Sequence, residues 1–203
     1  MNAVFKKLAV AAALGLSAGA GWSQVTLKVH HFLPSGASFH QRIIAPWCAK
    51  IEKESGGELK CQIYPAMQLG GTPPQLLDQV RDGVADIVWS VPTYSAGRYT
   101  KSEVFELPFM TINAKQGSQA LWEYTQKFAL DEYKGIKPLL MHTTEGYVLH
   151  SSKPVHKLED MKGKKIRTAR RISARMMSAL GGTPVQMPLP QVADALSKGV
   201  VDG

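Results

Sequence analysis

The sequence predicts an α/β protein with parallel sheets, and three observations support that fold class. First, residues 25–89 are predicted to be strand, helix, strand, helix and strand, joined by short connections. Second, residues 165–168 form another predicted strand, followed by a helix whose apolar residues Ile172, Met176 and Leu180 recur at i, i+4 and i+8. Third, a helix–glycine–strand unit occurs twice along the chain. Such alternation is typical of right-handed βαβ units, which build parallel sheets.

The predicted strands follow from the spacing of apolar side chains. Residues 25–29 and 59–63 alternate apolar and polar side chains, as half-buried strands do. Residues 84–89 are almost entirely apolar, which predicts a strand covered on both faces. Further along, residues 136–141 and 147–150 are predicted to be extended.

The predicted helices follow from period-3.6 patterns and from their start signals. A helix is expected over residues 38–54, where Pro46 predicts a kink or a second helix start. Thr72 is a good N-cap, and Pro73 suits the first helical position, so another helix begins there. A third helix is expected over residues 114–128.

The repeated unit divides the predicted fold into two lobes. Gly83 and Gly199 lie 116 residues apart, and aligning them superimposes four more pairs: Leu76 on Val192, Val80 on Leu196, Val84 on Val200, and Asp86 on Asp202. We therefore assign residues 24–145 to lobe I and residues 146–203 to part of lobe II. Because the second copy stops at Gly203, where its strand has barely begun, we expect lobe II to be incomplete and the chain to be truncated at its C-terminus.

Residues 1–23 have the pattern of a secretory signal peptide. Lys6 and Lys7 precede an apolar stretch over residues 8–16, and small residues suited to cleavage follow. This stretch is too short for a stable membrane span, and no later segment approaches that length. The sequence therefore predicts an exported, periplasmic protein that is not embedded in the membrane.

The charge of the predicted mature chain is basic. Without Lys6 and Lys7, 22 basic and 16 acidic residues remain, a net charge of +6. Seven basic residues lie between residues 162 and 175, a pattern that nucleic-acid-binding segments share. No aromatic side chain interrupts this run for base stacking, and export removes the chain from nucleic acid, so we expect a solvated basic face and no nucleic-acid partner.

Cysteine and histidine residues indicate structural roles. Cys48 on a predicted helix and Cys61 on the next predicted strand are either joined by a disulfide or are two separate buried thiols. The spacing of His30, His31 and His40 matches no standard zinc pattern. We predict no metal and no cofactor.

No catalytic signature stands out in the sequence. It lacks the nucleophile elbow, the phosphate-binding loop and the zinc-protease helix motif. Glu103, Glu106 and Glu145 are candidates for paired acid–base chemistry, but their spacing does not bring them together. We predict a binding protein rather than an enzyme, with an exported hydrolase as the alternative.

Arg167 is the residue with the sharpest predicted role. It lies at the carboxyl end of a predicted strand, the position at which open α/β folds bind ligands. A planar guanidinium held there can bind both oxygens of a carboxylate at once. The alternative is a solvated arginine at a strand end.

Several short motifs together resemble one family, the solute-binding proteins of tripartite ATP-independent periplasmic (TRAP) transporters of the DctP type. The matching pieces, in chain order, are His30-His31, Gly56-Gly57, Ile63-Tyr64-Pro65, Gln68-Leu69-Gly70, Arg81-Asp82-Gly83-Val84-Ala85-Asp86, Leu107-Pro108-Phe109, Met161-Lys162-Gly163-Lys164-Lys165-Ile166-Arg167, Gly181-Gly182-Thr183-Pro184-Val185 and Gly199-Val200-Val201-Asp202-Gly203. The resemblance implies a bilobal periplasmic-binding-protein-like fold. It also implies that a small organic acid is captured between the lobes and delivered to a membrane permease.

The same resemblance implies roles for individual residues. Arg167 matches the arginine that pairs with the ligand carboxylate. Phe32, Tyr94 and Leu189 match other positions that line the cleft. Tyr147 matches a position that is a second arginine in members that bind sialic acid, so the family pattern is broken there.

The departure at Tyr147 bears on the expected ligand. It argues against sialic acid and leaves fewer cationic groups in the cleft. Trp89, at a predicted strand end, either packs in the core or stacks on the ligand. Together with Phe32 and Tyr94, it predicts an aromatic cleft suited to a monocarboxylate with an apolar or aromatic body.

Overall fold

A computed structural model describes residues 24–203, so the predicted signal peptide lies outside the described residues. The strands are β1 (Val25–His31), β2 (Leu59–Tyr64), β3 (Ile87–Trp89), β4 (Lys165–Thr168) and β5 (Thr183–Gln186). The α-helices are α1 (Ala45–Glu54), α2 (Leu76–Arg81), α3 (Ala114–Tyr124), α4 (Arg171–Ala179) and α5 (Val192–Ser197). Short 3₁₀ or π-helical turns occupy His40–Ile44, Pro73–Gln75, Pro92–Tyr94, Ser102–Glu106, Thr125–Ala129, Leu130–Tyr133, Leu158–Met161 and Leu189–Gln191.

The first sheet has the order β2-β1-β3, and both pairs of strands are parallel. Val29 on the central strand lies opposite Ile63 on one side and Ile87 on the other. The predicted parallel α/β architecture is confirmed. The third strand is shorter than the apolar run predicted, because it begins only at Ile87, and its residues are half-buried rather than covered on both faces.

The second sheet pairs β4 with β5, also in parallel. The last two residues run beside β4: the Asp202 amide donates to the Lys165 carbonyl and the Arg167 amide donates to the Gly203 carbonyl, both over 2.7 Å. The predicted repeat is visible at this point. The Asp202 carboxylate accepts from the Lys165 amide over 2.8 Å, just as the Asp86 carboxylate accepts from the Lys28 amide over 2.7 Å.

The buried side chains fall into separate clusters that follow the two sheets. Among the described residues, three clusters draw their buried members from residues 29–133 and two from residues 161–201. This arrangement fits the bilobal prediction, and the boundary between residues 145 and 146 stays a prediction.

The local predictions outside the first sheet have different outcomes. Residues 136–141 and 147–150 join neither sheet, and their extended backbone stays a prediction. In α4, Ser173 and Met177 are the buried residues while Leu180 is exposed, so the buried face lies one residue beyond the predicted stripe. The apolar spacing therefore identified the helix but not the face that packs on β4.

Cys48 and Cys61 are free thiols, so the disulfide alternative is not formed in this structure. Burial, and then a hydrogen bond with Cys61, raises the pKa of the Cys48 thiol to about 12. Cys48 packs with Val29 and Ile44 as a small apolar side chain.

Two fully buried histidines stand at the carboxyl end of β1. His30 Nδ1 donates to the Gln79 side-chain oxygen over 2.8 Å, while its Nε2 accepts from the Leu69 amide over 3.4 Å. His31 Nδ1 accepts from the Leu33 amide over 3.1 Å, so its Nε2 proton is directed at His40 Nδ1, 2.9 Å away. Burial, followed by the charges of His40 and His30, lowers the pKa of His31 to about 4.

The chain that leaves the first lobe crosses the start of α3 at close range. The Thr143 amide donates to the Ser118 hydroxyl over 3.0 Å, and the Thr143 hydroxyl donates to the Ala114 carbonyl over 3.3 Å. This approach requires a glycine, because a Cβ on Gly117 would lie 2.5 Å from the Thr143 hydroxyl and 2.8 Å from the Thr111 methyl.

We expect the free energy of unfolding to fall as the pH drops from about 6.5 to about 4. The pKa of His31 is lower in the folded chain than in the unfolded chain. In this pH range the unfolded chain therefore binds a proton that the folded chain does not bind. The contribution of His31 to the free energy of unfolding is fully present above pH 6.5 and is lost as the pH falls to about 4. It amounts to at most roughly 3 kcal/mol. Urea unfolding across this range measures it. The variant His31→Asn should have a shallower pH profile, whereas the exposed control His156→Asn should keep the original slope. An unchanged slope in His31→Asn would contradict the assignment.

Gly117→Ala should lower the free energy of unfolding by about 1–3 kcal/mol, because the added methyl collides with the crossing segment. Alanine is otherwise the better helix former by about 1 kcal/mol, so the sign of the effect is informative. Gly36→Ala is the matched control, since a methyl group added at Gly36 would have nothing within 4 Å. Thermal or urea unfolding of both variants measures the difference, and a stabilised Gly117→Ala would refute the close approach.

Candidate functional site

A cavity of about 1240 Å³ lies between the two sheets, at the carboxyl ends of their strands. Phe32 follows β1, Trp89 ends β3, and both line the cavity from the first lobe. Arg167 on β4 and Leu189, which follows β5, line it from the second lobe. Both lobes therefore contribute walls to one space, as the predicted cleft requires.

Arg167 is held at the cavity by the second sheet. Its Nε donates to the Met187 carbonyl over 3.1 Å, and the Met187 amide in turn donates to the Thr168 carbonyl over 3.1 Å. The Nη2 nitrogen of Arg167 is buried and has no hydrogen-bond partner among the described residues. A buried unpaired guanidinium nitrogen is costly, so this geometry favours an anion that accepts from it.

An aromatic cluster forms the opposite wall. The Phe39 ring stacks on Trp89 with centroids 4.5 Å apart, and Phe32 packs on Trp89 at 5.0 Å. Tyr94 lies 5.7 Å from Phe32, and His142 stacks on Phe39 at 5.2 Å. All five side chains line the cavity, and a wall of aromatic groups suits an aromatic ring.

The position of His142 is fixed by a hydrogen bond from Trp89. The indole Nε1 of Trp89 donates to His142 Nε2 over 3.1 Å. Since an indole N–H only donates, the histidine proton sits on Nδ1, which lies 3.4 Å from the Thr143 carbonyl. His142 is thus held against Trp89 as part of the aromatic wall.

A contact between the lobes closes one side of the cavity. The Leu189 amide donates to the Tyr94 hydroxyl over 3.4 Å, and the Leu189 side chain is 47% exposed beside it. Tyr94 therefore touches both the aromatic wall and the second lobe.

A pair of charges crosses between the lobes at the cavity edge. Arg170 Nη1 lies 3.0 Å from Glu106 Oε1, and the two side chains are only 21% and 8% exposed. Arg170 Nη2 donates to the Tyr147 hydroxyl, and the guanidinium lies 5.7 Å from the centre of the Tyr147 ring. The Thr93 hydroxyl also donates to Glu106. Burial raises the pKa of Glu106, opposed by the charge of Arg170 and the hydrogen bond from Thr93.

A second pair, Glu103 with Arg171, joins the same two elements, but neither residue lines the cavity. The hydrogen bond from Arg171, followed by their mutual charge, raises the pKa of Arg171. The candidate acid–base carboxylates Glu103 and Glu106 are thus each paired with an arginine.

The structure brings all six predicted site residues to the same cavity: Arg167, Tyr147, Phe32, Trp89, Tyr94 and Leu189. Their contact with a ligand stays a prediction. Trp89 was predicted either to pack in the core or to stack on the ligand. It packs on core residues and also lines the cavity.

Sequence reasoning missed the cavity roles of Phe39, His142, Glu106 and Arg170. Arg170 was assigned to a solvated basic face, yet it is largely buried against Glu106. One feature of the sequence pointed to a role at the cavity. Arg170 comes just after the strand of Arg167, at the edge where parallel sheets bind ligands.

Residues 24–203 have neither a metal-binding cluster nor a membrane-spanning helix. In that range, no group of three or more His, Cys, Asp or Glu side chains is arranged to hold a metal ion. None of the described helices combines the length and apolar character needed to cross a membrane.

The chain is similar to several proteins of known kind. A solute-binding protein of Albidiferax ferrireducens is 27% identical over 185 residues, which cover 87% of this chain and 54% of that protein. The chain thus spans about half the length of this relative.

Solved structures give a stronger likeness. A TRAP solute-binding protein of Rhodoferax ferrireducens, in complex with copurified benzoate, is 48% identical with a TM-score of 0.86 over 89% of this chain and 56% of that one. A marine metagenome TRAP solute-binding protein specific for aromatic acid ligands, with co-crystallized 3-hydroxybenzoate, is 46% identical with a TM-score of 0.81 over 89% of this chain and 57% of that one.

The family comparison agrees with the fold and the cleft. The family model described as DctP, bacterial extracellular solute-binding protein, family 7, matches residues 29–203. The chain therefore belongs to the DctP family of bacterial extracellular solute-binding proteins.

Proposed function

We propose that this protein is the solute-binding subunit of a TRAP transporter, which captures an aromatic monocarboxylate in the cleft and delivers it to a membrane permease from the periplasm. The observation that carries the proposal is that Arg167 lines a cavity with an aromatic wall, while its buried Nη2 lacks a partner among the described residues. A cation and a flat apolar surface across one cavity match the two ends of a benzoate-like acid.

The carboxylate end is assigned to Arg167. Its Nε is already used by the Met187 carbonyl, which fixes the plane of the guanidinium and leaves its other nitrogens for the ligand. A charge-assisted hydrogen bond of this kind contributes about 1.5–3 kcal/mol. Holding the arginine in place before binding lowers the entropy lost when the complex forms.

The ring end is assigned to the aromatic wall. Phe39 and Trp89 are already stacked, so a ligand ring meets a surface that needs little rearrangement. Similar proteins described with benzoate and 3-hydroxybenzoate support the choice of an aromatic acid. Phe32, Tyr94 and Leu189 complete the enclosure, and Tyr147 acts by orienting Arg170.

We propose binding without chemical conversion. The family and the similar structures are described as solute-binding proteins, and none of them supports the alternative of an exported hydrolase. The buried carboxylate at the cavity, Glu106, also suits binding better than catalysis, because it is occupied by Arg170 and Thr93.

The direct test is a titration of the complete gene product with a panel of acids, followed by calorimetry and tryptophan fluorescence. We expect saturable binding of benzoate and 3-hydroxybenzoate, weaker binding of cyclohexanecarboxylate, and none of sialic acid. Trp89 should report the aromatic ligands, and the acid should be recovered unaltered. No saturable signal with any aromatic acid, or conversion of the acid, would overturn the proposal.

Arg167→Ala should weaken benzoate binding by roughly 10- to 150-fold, the equivalent of about 1.5–3 kcal/mol, because the carboxylate loses its charged partner. Arg167→Lys should recover only part of this loss, since an ammonium cannot pair in the same planar manner. Calorimetry measures the affinity, and thermal unfolding verifies that the variants are folded.

Lys165→Ala is the matched control, because it removes one positive charge from the same strand. Lys165 is exposed and does not line the cavity. Its benzoate affinity should stay within about twofold of the original. Equal losses in Arg167→Ala and Lys165→Ala would refute a specific contact with Arg167.

A further inference from the structure

We propose that Glu106 determines the charge class of the ligand: by neutralising Arg170, it makes the cleft select monocarboxylates over dicarboxylates. This inference rests on the proposed function and adds the reason for its charge preference. Two part-buried guanidinium groups line the described part of the cavity, Arg167 and Arg170. The structure gives them opposite states, one free to bind an anion and the other already paired.

Both terminal nitrogens of Arg170 are paired within the protein. Its Nη1 meets Glu106 at 3.0 Å and its Nη2 donates to the Tyr147 hydroxyl. The Tyr147 ring packs against the same guanidinium at 5.7 Å. Its Nε, like the Nη2 of Arg167, is buried without a partner among the described residues. The two terminal nitrogens of Arg170, which would pair with a carboxylate side by side, are therefore already taken.

Glu106 lies where its carboxylate neutralises the charge of Arg170. Its side chain is only 8% exposed, and the Thr93 hydroxyl donates to the same oxygen that faces Arg170. A buried carboxylate separated from its cation is strongly destabilised, so a ligand carboxylate cannot displace Glu106 cheaply. A second ligand carboxylate would instead meet the negative charge of Glu106 next to an apolar wall.

Arg167 differs from Arg170 in the group that faces its charge. Its Nε meets a neutral carbonyl, that of Met187, and its Nη2 is unpartnered in the described structure. An anion that pairs with Arg167 therefore has no protein carboxylate to displace. Of the two guanidinium groups that line the described cavity, only Arg167 is thus left without a carboxylate partner, and Glu106 occupies the place of an anion at Arg170.

The structure also offers a matched control. Glu103 pairs with Arg171 between the same two elements, but neither residue lines the cavity. A change from Glu to Gln at residue 103 removes the same buried charge from the same contact between the lobes. Only Glu106 should alter selectivity.

The experiment measures affinities of the complete gene product for benzoate and for the three benzenedicarboxylates, phthalate, isophthalate and terephthalate, at about pH 8. The readout is the ratio of the Kd of the tightest dicarboxylate to the Kd of benzoate. Glu106→Gln should lower this ratio by at least about tenfold, because Arg170 becomes available to the second carboxylate. Glu103→Gln should leave the ratio within about twofold.

Two further variants test the same role of Glu106 by changing its partner, Arg170. Arg170→Gln should raise the ratio, because the unpaired Glu106 repels a dianion more than a monoanion. The double variant Glu106→Gln/Arg170→Gln removes both charges and should restore the original ratio. If Glu106→Gln does not fold, the ratios measured for these two variants test the proposal.

The inference is overturned if Glu106→Gln leaves the ratio unchanged, if Glu103→Gln lowers it equally, or if the double variant keeps a lowered ratio. Failure of the proposed function is a distinct result, in which the unmodified protein binds no aromatic monocarboxylate, and it removes both proposals. Benzoate binding combined with an unchanged ratio removes only the role of Glu106.

Discussion

The cleft depends on how the second sheet holds one guanidinium. In the parallel pairing of β4 with β5, Thr168 lies opposite Gln186, and the Met187 amide extends the ladder by donating to the Thr168 carbonyl. This extension brings the Met187 carbonyl to the Nε of Arg167. A long, flexible side chain is thereby immobilised by backbone that the sheet has already ordered, and the entropy of fixing it is lost on folding rather than on binding.

The second lobe meets the first through polar contacts at the edges of the cavity. Arg170 with Glu106, Arg171 with Glu103, and Leu189 with Tyr94 each join one lobe to the other. These contacts lie beside an apolar wall, where a charge left without a partner is costly. Position and electrostatics are therefore linked: the ion pair that helps bring the lobes together also cancels one positive charge at the cavity.

The sequence predicted more of the fold and site than its separate motifs suggest, but it failed wherever partners are distant in the chain. Arg167 was identified because the carboxyl end of a parallel strand is a binding position for simple topological reasons. Glu106 and Arg170 are 64 residues apart, and no local pattern signals that they pair. His142 was missed for the same reason, since its partner Trp89 lies 53 residues away. The buried face of α4 was misplaced because apolar spacing reports a helix, whereas the neighbouring sheet decides which side of it is covered.

The sequence by itself determined the α/β class, the parallel strands, the repeated unit and the strand-end arginine, because each of these depends on short-range periodicity or on residues adjacent in the chain. Tertiary structure alone decided which charges are free and which are cancelled. Arg167 and Arg170 are three residues apart and chemically identical, yet one faces a neutral carbonyl and the other a buried carboxylate. That difference arises from what the other lobe places beside each side chain, and only folding brings those groups together.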